Sequence, residues 1–344
     1  MTIETQRLGI ITVAVGEKHL GLAKNLASSF LCFNKIKDIG FTILTDKPVE
    51  PDTFLEPKGI RHICSNALCH ANENVLLNKV VAPALSPYDV TIMLDADCLV
   101  CGSLMPVFEM LSGYDLSVVG EPIASGRWHA DVEALLKHFD IPRLYKFIGS
   151  FYYFSSRAVA EKVTARALSL ASEYDSLQID RIHHRFLNEE VLMSVSLASF
   201  SHEVSLKIIP EASPLKGETM IYSIRNINLL SGRSELGMSS NCMPREVLGG
   251  MLPENKLPLI IAFDSDSRRH LDYSLNVMQA RVFLALCDAP GRPASLKPLL
   301  AMIRICWVVF SVVALDVFNS LKSLKLVVGR IFFFTRQQSM IAVL

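Results

Sequence analysis

The chain has no net charge. Lysine plus arginine and aspartate plus glutamate both total 34 over 344 residues. A nucleic-acid binder would normally carry a basic excess, so that class of partner is set aside. The first residues, "MTIETQRLGI", have no apolar run behind a basic stretch, so no secretory signal is expected. Internal repeats and low-complexity tracts are absent, as are a convincing G-x-S-x-G, P-loop lysine or G-x-G-x-x-G. The cysteines at 32, 64, 69, 98, 101, 242, 287 and 306 are scattered rather than grouped as a disulfide framework. With no signal, they point to a reducing, cytoplasmic compartment.

Long apolar runs are nearly absent too. Mean hydropathy is high, at +0.33, and much of it comes from the C-terminal tail. From Lys297 onward the chain has Lys297, Arg304, Lys322, Lys325, Arg330 and Arg336 against one acid, Asp316. A spanning helix needs about 20 predominantly apolar residues. The window Leu299–Phe318 reaches that length only by including Arg304 and Asp316, both costly at a bilayer centre. The following "LKSLKLVVGRIFFFTRQQ" mixes bases with bulky apolar groups, a pattern suited to a helix lying on an anionic membrane surface. Packing on the body or on a second copy, as a homo-oligomer, is the competing reading of 299–334.

The rest of the chain reads as α/β. Apolar, β-branched runs at 8–15, 41–46, 90–94 and 115–120 alternate with helical segments at 20–33, about 72–85, and 103–112. Strands apolar on both faces predict a mostly parallel sheet covered on both sides. Further on, 146–155 is an aromatic strand, 156–173 and 187–199 are helical, and 203–210 and 257–267 are strands. A helix over about 270–287 closes the body, residues 1–288. "CDAPGRPASLKP" then reads as a Pro-rich linker, 289–298, before the apolar basic tail, 299–344.

Ligands in such sheets sit at the carboxyl ends of the strands, and the strand "VTIML" ends in Asp95-Ala96-Asp97. Two carboxylates where the chain turns can flank one hard cation, leaving its other positions to phosphate oxygens and water. The plain alternative is a pair of surface acids before the next helix.

The stretch "LSPYDVTIMLDADCLVCGSLMPVFEML" resembles the GT-A nucleotide-sugar glycosyltransferases, most closely the family 8-like group of glycogenin and bacterial lipopolysaccharide galactosyltransferases. "VAVGEKHLGLAKNLASSF" is similar to that family's first strand and nucleotide-gripping loop. Lys79 stands sixteen positions before Asp95, where the family carries a lysine near the donor sugar. The resemblance covers residues 8–155 well and 185–275 loosely, and leaves out the tail.

It implies a GT-A fold and a hexosyl transfer from a UDP-type donor, with retention at the anomeric carbon. Asp97 would ligate Mn²⁺ or Mg²⁺, and Asp95 would contact the metal, the ribose or both. Ala96 would lie against the nucleoside, and Val15, Gly16 and His19 would line the base pocket, with His19 where the family has a stacking tyrosine. Gly149 and Ser150 would contact the donor; they follow Ile148, which replaces the family's asparagine. The family's Asp-Gln pair aligns with Asn188-Glu189, and Glu189 or Glu190 would be the base if the enzyme inverts. The family's late metal-binding histidine aligns with Ala262, so Asp264, Asp266 or His270 would supply the third ligand. With the tail, the resemblance suggests a lipid-linked or cell-envelope acceptor reached from the cytoplasmic face of a membrane.

Other readings of these residues stay open. Asp-x-Asp after a strand also opens the haloacid-dehalogenase phosphotransferases, although neither "LDADCL" nor "FDSDSR" continues as Gly-Thr. Cys64, Cys69, Cys98 and Cys101, with His62 and His70, could make a zinc site. A GT-A-shaped protein that binds nucleotide or glycan without turnover is the non-enzymatic alternative. "RIHHRF", 181–186, is either a solvated loop or an acceptor- or phosphate-binding one. "SDSRRH", 265–270, would lie close to the diphosphate. Trp128 either packs into the body or stacks on a sugar.

Overall fold

The computed structural model describes residues 6–68, 74–210, 216–218, 222–228, 233–238, 259–263 and 271–288. Residues 1–284 form one compact unit and 285–344 a second. The linker 289–298 and the tail 299–344 lie outside the described residues. No helix among the described residues is long and apolar enough to cross a membrane.

The strands are β1 (Leu8–Ala14), β2 (Gly40–Thr45), β3 (Arg61–Cys64), β4 (Val90–Leu94), β5 (Cys98–Val100), β6 (Leu116–Ile123), β7 (Leu144–Phe154), β8 (Leu206–Ile209), β9 (Lys216–Glu218), β10 (Tyr222–Asn228), β11 (Arg233–Met238) and β12 (Ile260–Ala262). The helices are α1 (Gly16–Leu31), α2 (Leu77–Val81), α3 (Met105–Leu111), α4 (Val132–Phe139), α5 (Arg157–Ala171), α6 (Glu189–Ser199) and α7 (Leu271–Asp288).

Seven strands form the main sheet in the order β3-β2-β1-β4-β7-β6-β8. Strands β1 to β4 run parallel, while β7 runs antiparallel to both its neighbours. Both faces are buried, as the unbroken apolar runs predict. Ile10, Phe41, Ile43 and Ile92 pack on the α1 side. Ile11, Leu44 and Met93 pack among residues of α5 and α6 on the other. A small second sheet, β5-β12-β9, and the β10–β11 hairpin complete the strands.

The expected helix over 72–85 is shorter than its pattern. Among the described residues the α-helix forms only over α2, and Ala82–Leu85 tightens into a 3-10 turn with Pro83 near its start. Proline lacks the N–H that would continue the α-helical ladder. The expected helix 20–33 begins earlier, at Gly16, which has φ +75°. Residues 69–73 lie outside the described residues.

Strand β7 has an irregularity that bears on function. Its partner register on β6 runs from Gly120↔Phe147 to Val118↔Tyr152, so residues 148–151 stand opposite Val119 alone. This bulge holds the "IGS" stretch that departs from the resembled family's pattern. Its other edge faces β4, where Leu94 pairs with Phe151.

Candidate donor-binding cleft

Asp95, Ala96 and Asp97 form the turn that carries the chain out of the main sheet. The Cys98 N–H donates to the Asp95 carbonyl at 3.1 Å, and β5 then belongs to the small sheet. The Asp95 N–H donates to the Ser150 carbonyl in the β7 bulge at 3.2 Å. On the far side, the Phe263 N–H donates to the Asp97 carbonyl at 3.4 Å. Backbone bonds to β7 and to the residue after β12 therefore fix the turn.

A cavity of about 450 Å³ opens at this end of the sheet, within the size range of small-molecule sites. Its walls include Val15 and His19 from the first strand-to-helix loop and α1, Lys79 from α2, and the whole Asp95-Ala96-Asp97 turn. Residues far apart in sequence thus meet where the strand ends predict. His19 is anchored, its Nδ1 lying 2.9 Å from the Val15 carbonyl. The Gly16 N–H donates to Asp46 Oδ1 at 3.3 Å, tying together the ends of β1 and β2.

Lys79 is the electrostatic centre. Its Nζ lies 2.7 Å from Asp95 Oδ2 and 3.3 Å from Glu189 Oε1. Lys79 is 25% exposed, Asp95 18% and Glu189 4%. Burial alone would lower the lysine pKa, but Asp95 and Glu189 outweigh it and hold the ammonium well above its ordinary value. Burial raises the Glu189 pKa, and the nearby Asp95 charge adds to the rise while Lys79 opposes it. Glu190, next along α6, is pushed up to about 8 by burial and by the charge of Glu189.

Glu190 has a structural task. Its Oε1 accepts the Gly149 N–H at 2.8 Å, satisfying a backbone donor that the bulge removes from the β6 ladder. A Cβ at Gly149 would meet the Tyr152 hydroxyl at 2.9 Å and Glu189 Oε1 at 3.4 Å. Sequence reasoning places Gly149 and Ser150 on the donor. The structure places them beneath the Asp95 turn, outside the cavity wall, where the Ser150 carbonyl holds Asp95. Glu189 likewise turns toward Lys79 and is not part of the wall. Asn188 caps α6, its Oδ1 accepting the N–H groups of Glu190 and Val191 at 3.0 and 3.3 Å.

Several residues with only weak sequence signals also shape the cleft. Val75 and Leu76 add apolar wall, Lys18 adds a cation, and Ile182, His183 and Phe186 also line the cavity. "RIHHRF" is therefore a cleft loop. Trp128 packs against the core, its ring 6.0 Å from that of Phe147. Asp264, Asp266 and His270, with "SDSRRH", lie outside the described residues, as do Cys69 and His70. No cluster of three metal-ligating side chains occurs among the described residues. Cys98 and Cys101 are buried and Cys64 is exposed, so these three do not form the zinc site.

No protein-family model and no curated protein matches the chain. Solved structures do. The galactosyltransferase LgtC, in complex with donor and acceptor sugar analogues, aligns over 85% of this chain and 99% of its own, with TM-score 0.51 and 12% identity. An active-site mutant of LgtC gives TM-score 0.50 and 13% identity over 83% and 98% of the two chains. The bifunctional glycosyltransferase WbbM, in its apo form, gives TM-score 0.54 and 12% identity over 80% of this chain and 50% of its own. The chain has the GT-A fold of these glycosyltransferases, which argues against the dehalogenase-type reading of its acids.

Proposed function

We propose that the protein is a glycosyltransferase that moves a hexose from a nucleoside-diphosphate sugar, of UDP type, to a sugar or lipid-linked acceptor. The observation that carries this reading is the meeting of Asp95, Asp97 and Lys79 in one cavity at the carboxyl end of β4, on a GT-A fold. The base lies against Val15 and His19, and Ala96 leaves room for the nucleoside. The diphosphate then reaches the acidic turn.

Two carboxylates at this turn suit Mg²⁺ or Mn²⁺ held jointly by protein and phosphate oxygens. Asp97 and Asp95 would hold the ion, with Asp264, Asp266 or His270 as the third ligand that the resemblance implies. When bound, the metal supplies charge neutralisation for the leaving diphosphate. Lys79 has a different task. Fixed between Asp95 and Glu189, it keeps Asp95 in one rotamer and presents a preorganised cation to the donor. Retention requires no dedicated base, because the leaving phosphate can take the acceptor proton.

Calorimetry with UDP, UDP-glucose and UDP-galactose, with and without Mn²⁺, tests the reading. Wild-type protein binds with the metal, and Asp97→Asn weakens that binding by at least tenfold, or about 1.4 kcal/mol. Metal-independent binding, or no nucleotide binding at all, sinks the proposal. One feature favours a binding-only protein: Glu189, aligned with a residue near the reacting sugar, is buried against Lys79. UDP released from the sugar nucleotides as acceptors are supplied separates that reading from a transferase. The tail at 299–334 would bring the enzyme to the inner face of a membrane.

A further inference from the structure

The loop between α5 and α6 is built with unusual care. Asp180 receives both bonds from the Arg127 guanidinium at 2.8 Å. The Asp180 N–H donates to the His129 carbonyl at 2.5 Å, and the Asp180 carbonyl accepts from the Tyr174 hydroxyl at 3.0 Å. Ile182 and Phe186 then form an antiparallel bridge, exchanging N–H···O bonds of 2.8 and 2.9 Å. Between them, His183 and His184 have φ values of +52° and +57°.

Positive φ at two successive positions is the pattern of a type I′ turn, which favours Asn-Gly; histidine adopts such a φ more readily than most side chains, but two in succession still carry a cost relative to Asn-Gly. Such strain persists where the surroundings enforce it, and it gathers at ligand clamps. The turn is strained at the place where it enters the cleft: His183 lines the same cavity as Lys18, Lys79, Asp95 and Asp97. His183 lines this cavity together with Lys18 and Lys79 and adds an imidazole N–H donor to their cations.

We propose that the His183-His184 turn is a phosphate-recognition element, with the His183 imidazole N–H bonding a phosphate oxygen of the bound substrate. This rests on the nucleotide-sugar reading of the cleft. The phosphate is either the donor's diphosphate or a phosphate on the acceptor.

The double variant His183→Asn/His184→Gly tests it, because it gives the turn its preferred residues while removing both imidazoles. Its Tm is expected to stay level or rise by about 2 °C or more, so a loss of binding would not reflect unfolding. Calorimetry with UDP and uridine is run in the presence of Mn²⁺. A fivefold or greater loss of UDP affinity, with uridine unchanged, assigns the turn to the donor diphosphate. Unchanged UDP affinity, with loss of glucose 6-phosphate binding to the UDP-loaded protein and none for glucose, assigns it to the acceptor. If wild type and variant bind every probe equally, the inference is overturned while the transferase reading stands. If wild type binds neither UDP nor glucose 6-phosphate, both fall.

Discussion

Lys79 is held by two carboxylates, one of them almost wholly buried, and its removal should be felt in stability before catalysis. Lys79→Met leaves the Glu189 carboxylate, 4% exposed, without its cation. Breaking a buried pair by removing one partner costs about 3–5 kcal/mol. Water at the cavity mouth reduces that, so about 2–3 kcal/mol is expected by urea denaturation. Adding Glu189→Gln to Lys79→Met should recover part of the loss, because the orphaned charge goes with it. Additive losses in that double-variant cycle would show that the two side chains do not interact. Glu190 makes a second prediction. Its folded pKa, about 8, lies above its ordinary value of 4.5. The folded state therefore binds more protons than the unfolded state between these values. The contribution is fully present below about pH 4.5 and is lost as pH rises through about 8. Glu189, also raised, acts in the same direction. Glu190→Gln, which keeps an acceptor for Gly149, should flatten the decline of stability between pH 5 and 9; an unchanged slope would assign it to other groups.

At the scale of elements, close approaches decide what the sheet tolerates. Gly9 and Gly40 are register partners on β1 and β2, and the Tyr88 ring lies across both. A Cβ at Gly9 would meet that ring at 2.1 Å, and one at Gly40 at 2.3 Å. Tyr88 also has its hydroxyl 2.8 Å from that of Thr42. Gly9→Ala should thus cost about 1–3 kcal/mol or more as an overpacked site, and Tyr88→Ala about 3–5 kcal/mol as a cavity. The strand opposite the β7 bulge is as tight and less forgiving. A Cβ at Gly120 would come within 2.1 Å of the Lys146 carbonyl, which is backbone and cannot rotate away. Gly120→Ala should shift the bulge, and with it the Ser150 carbonyl that holds Asp95. UDP binding should weaken as well as stability, and loss of stability with unchanged UDP affinity would separate the bulge from the site.

At the scale of the molecule, the unit boundary at 284–285 lies close to the Pro-rich linker expected from the sequence. Truncation after Ala289 should leave the cleft intact, with UDP affinity within about twofold of the full chain. If the tail holds the enzyme on membranes, the truncated protein should stay in the supernatant of a vesicle sedimentation assay and the full chain should pellet. Sedimentation of both forms would move the membrane contact into the body. The same pair separates the competing role of the tail: a change of oligomeric state on truncation, with no vesicle binding by either form, assigns 299–334 to protein contact.

The sequence by itself determined the covered parallel sheet, because strands apolar on both faces have no other stable place. It also placed the acidic turn at a strand end and marked Lys79, since hydrophobic runs and charged residues are local in the chain. Only the tertiary structure decided which groups touch. Lys79 and Glu189 are 110 residues apart, and no periodicity encodes their pairing. The Ser150 carbonyl reaches the Asp95 N–H, and the Gly149 N–H reaches Glu190, because β7 bulges where β6 has one residue to offer. Asn188 became a helix cap because the first N–H groups of α6 need an acceptor. "RIHHRF", a solvated or a binding loop in sequence, lines the cleft, and Arg127, Tyr174 and His129 hold Asp180 just before it. The Lys79–Glu189 and Arg127–Asp180 pairs join elements far apart in the chain, and the burial that strengthens the first of them is specified by no single segment.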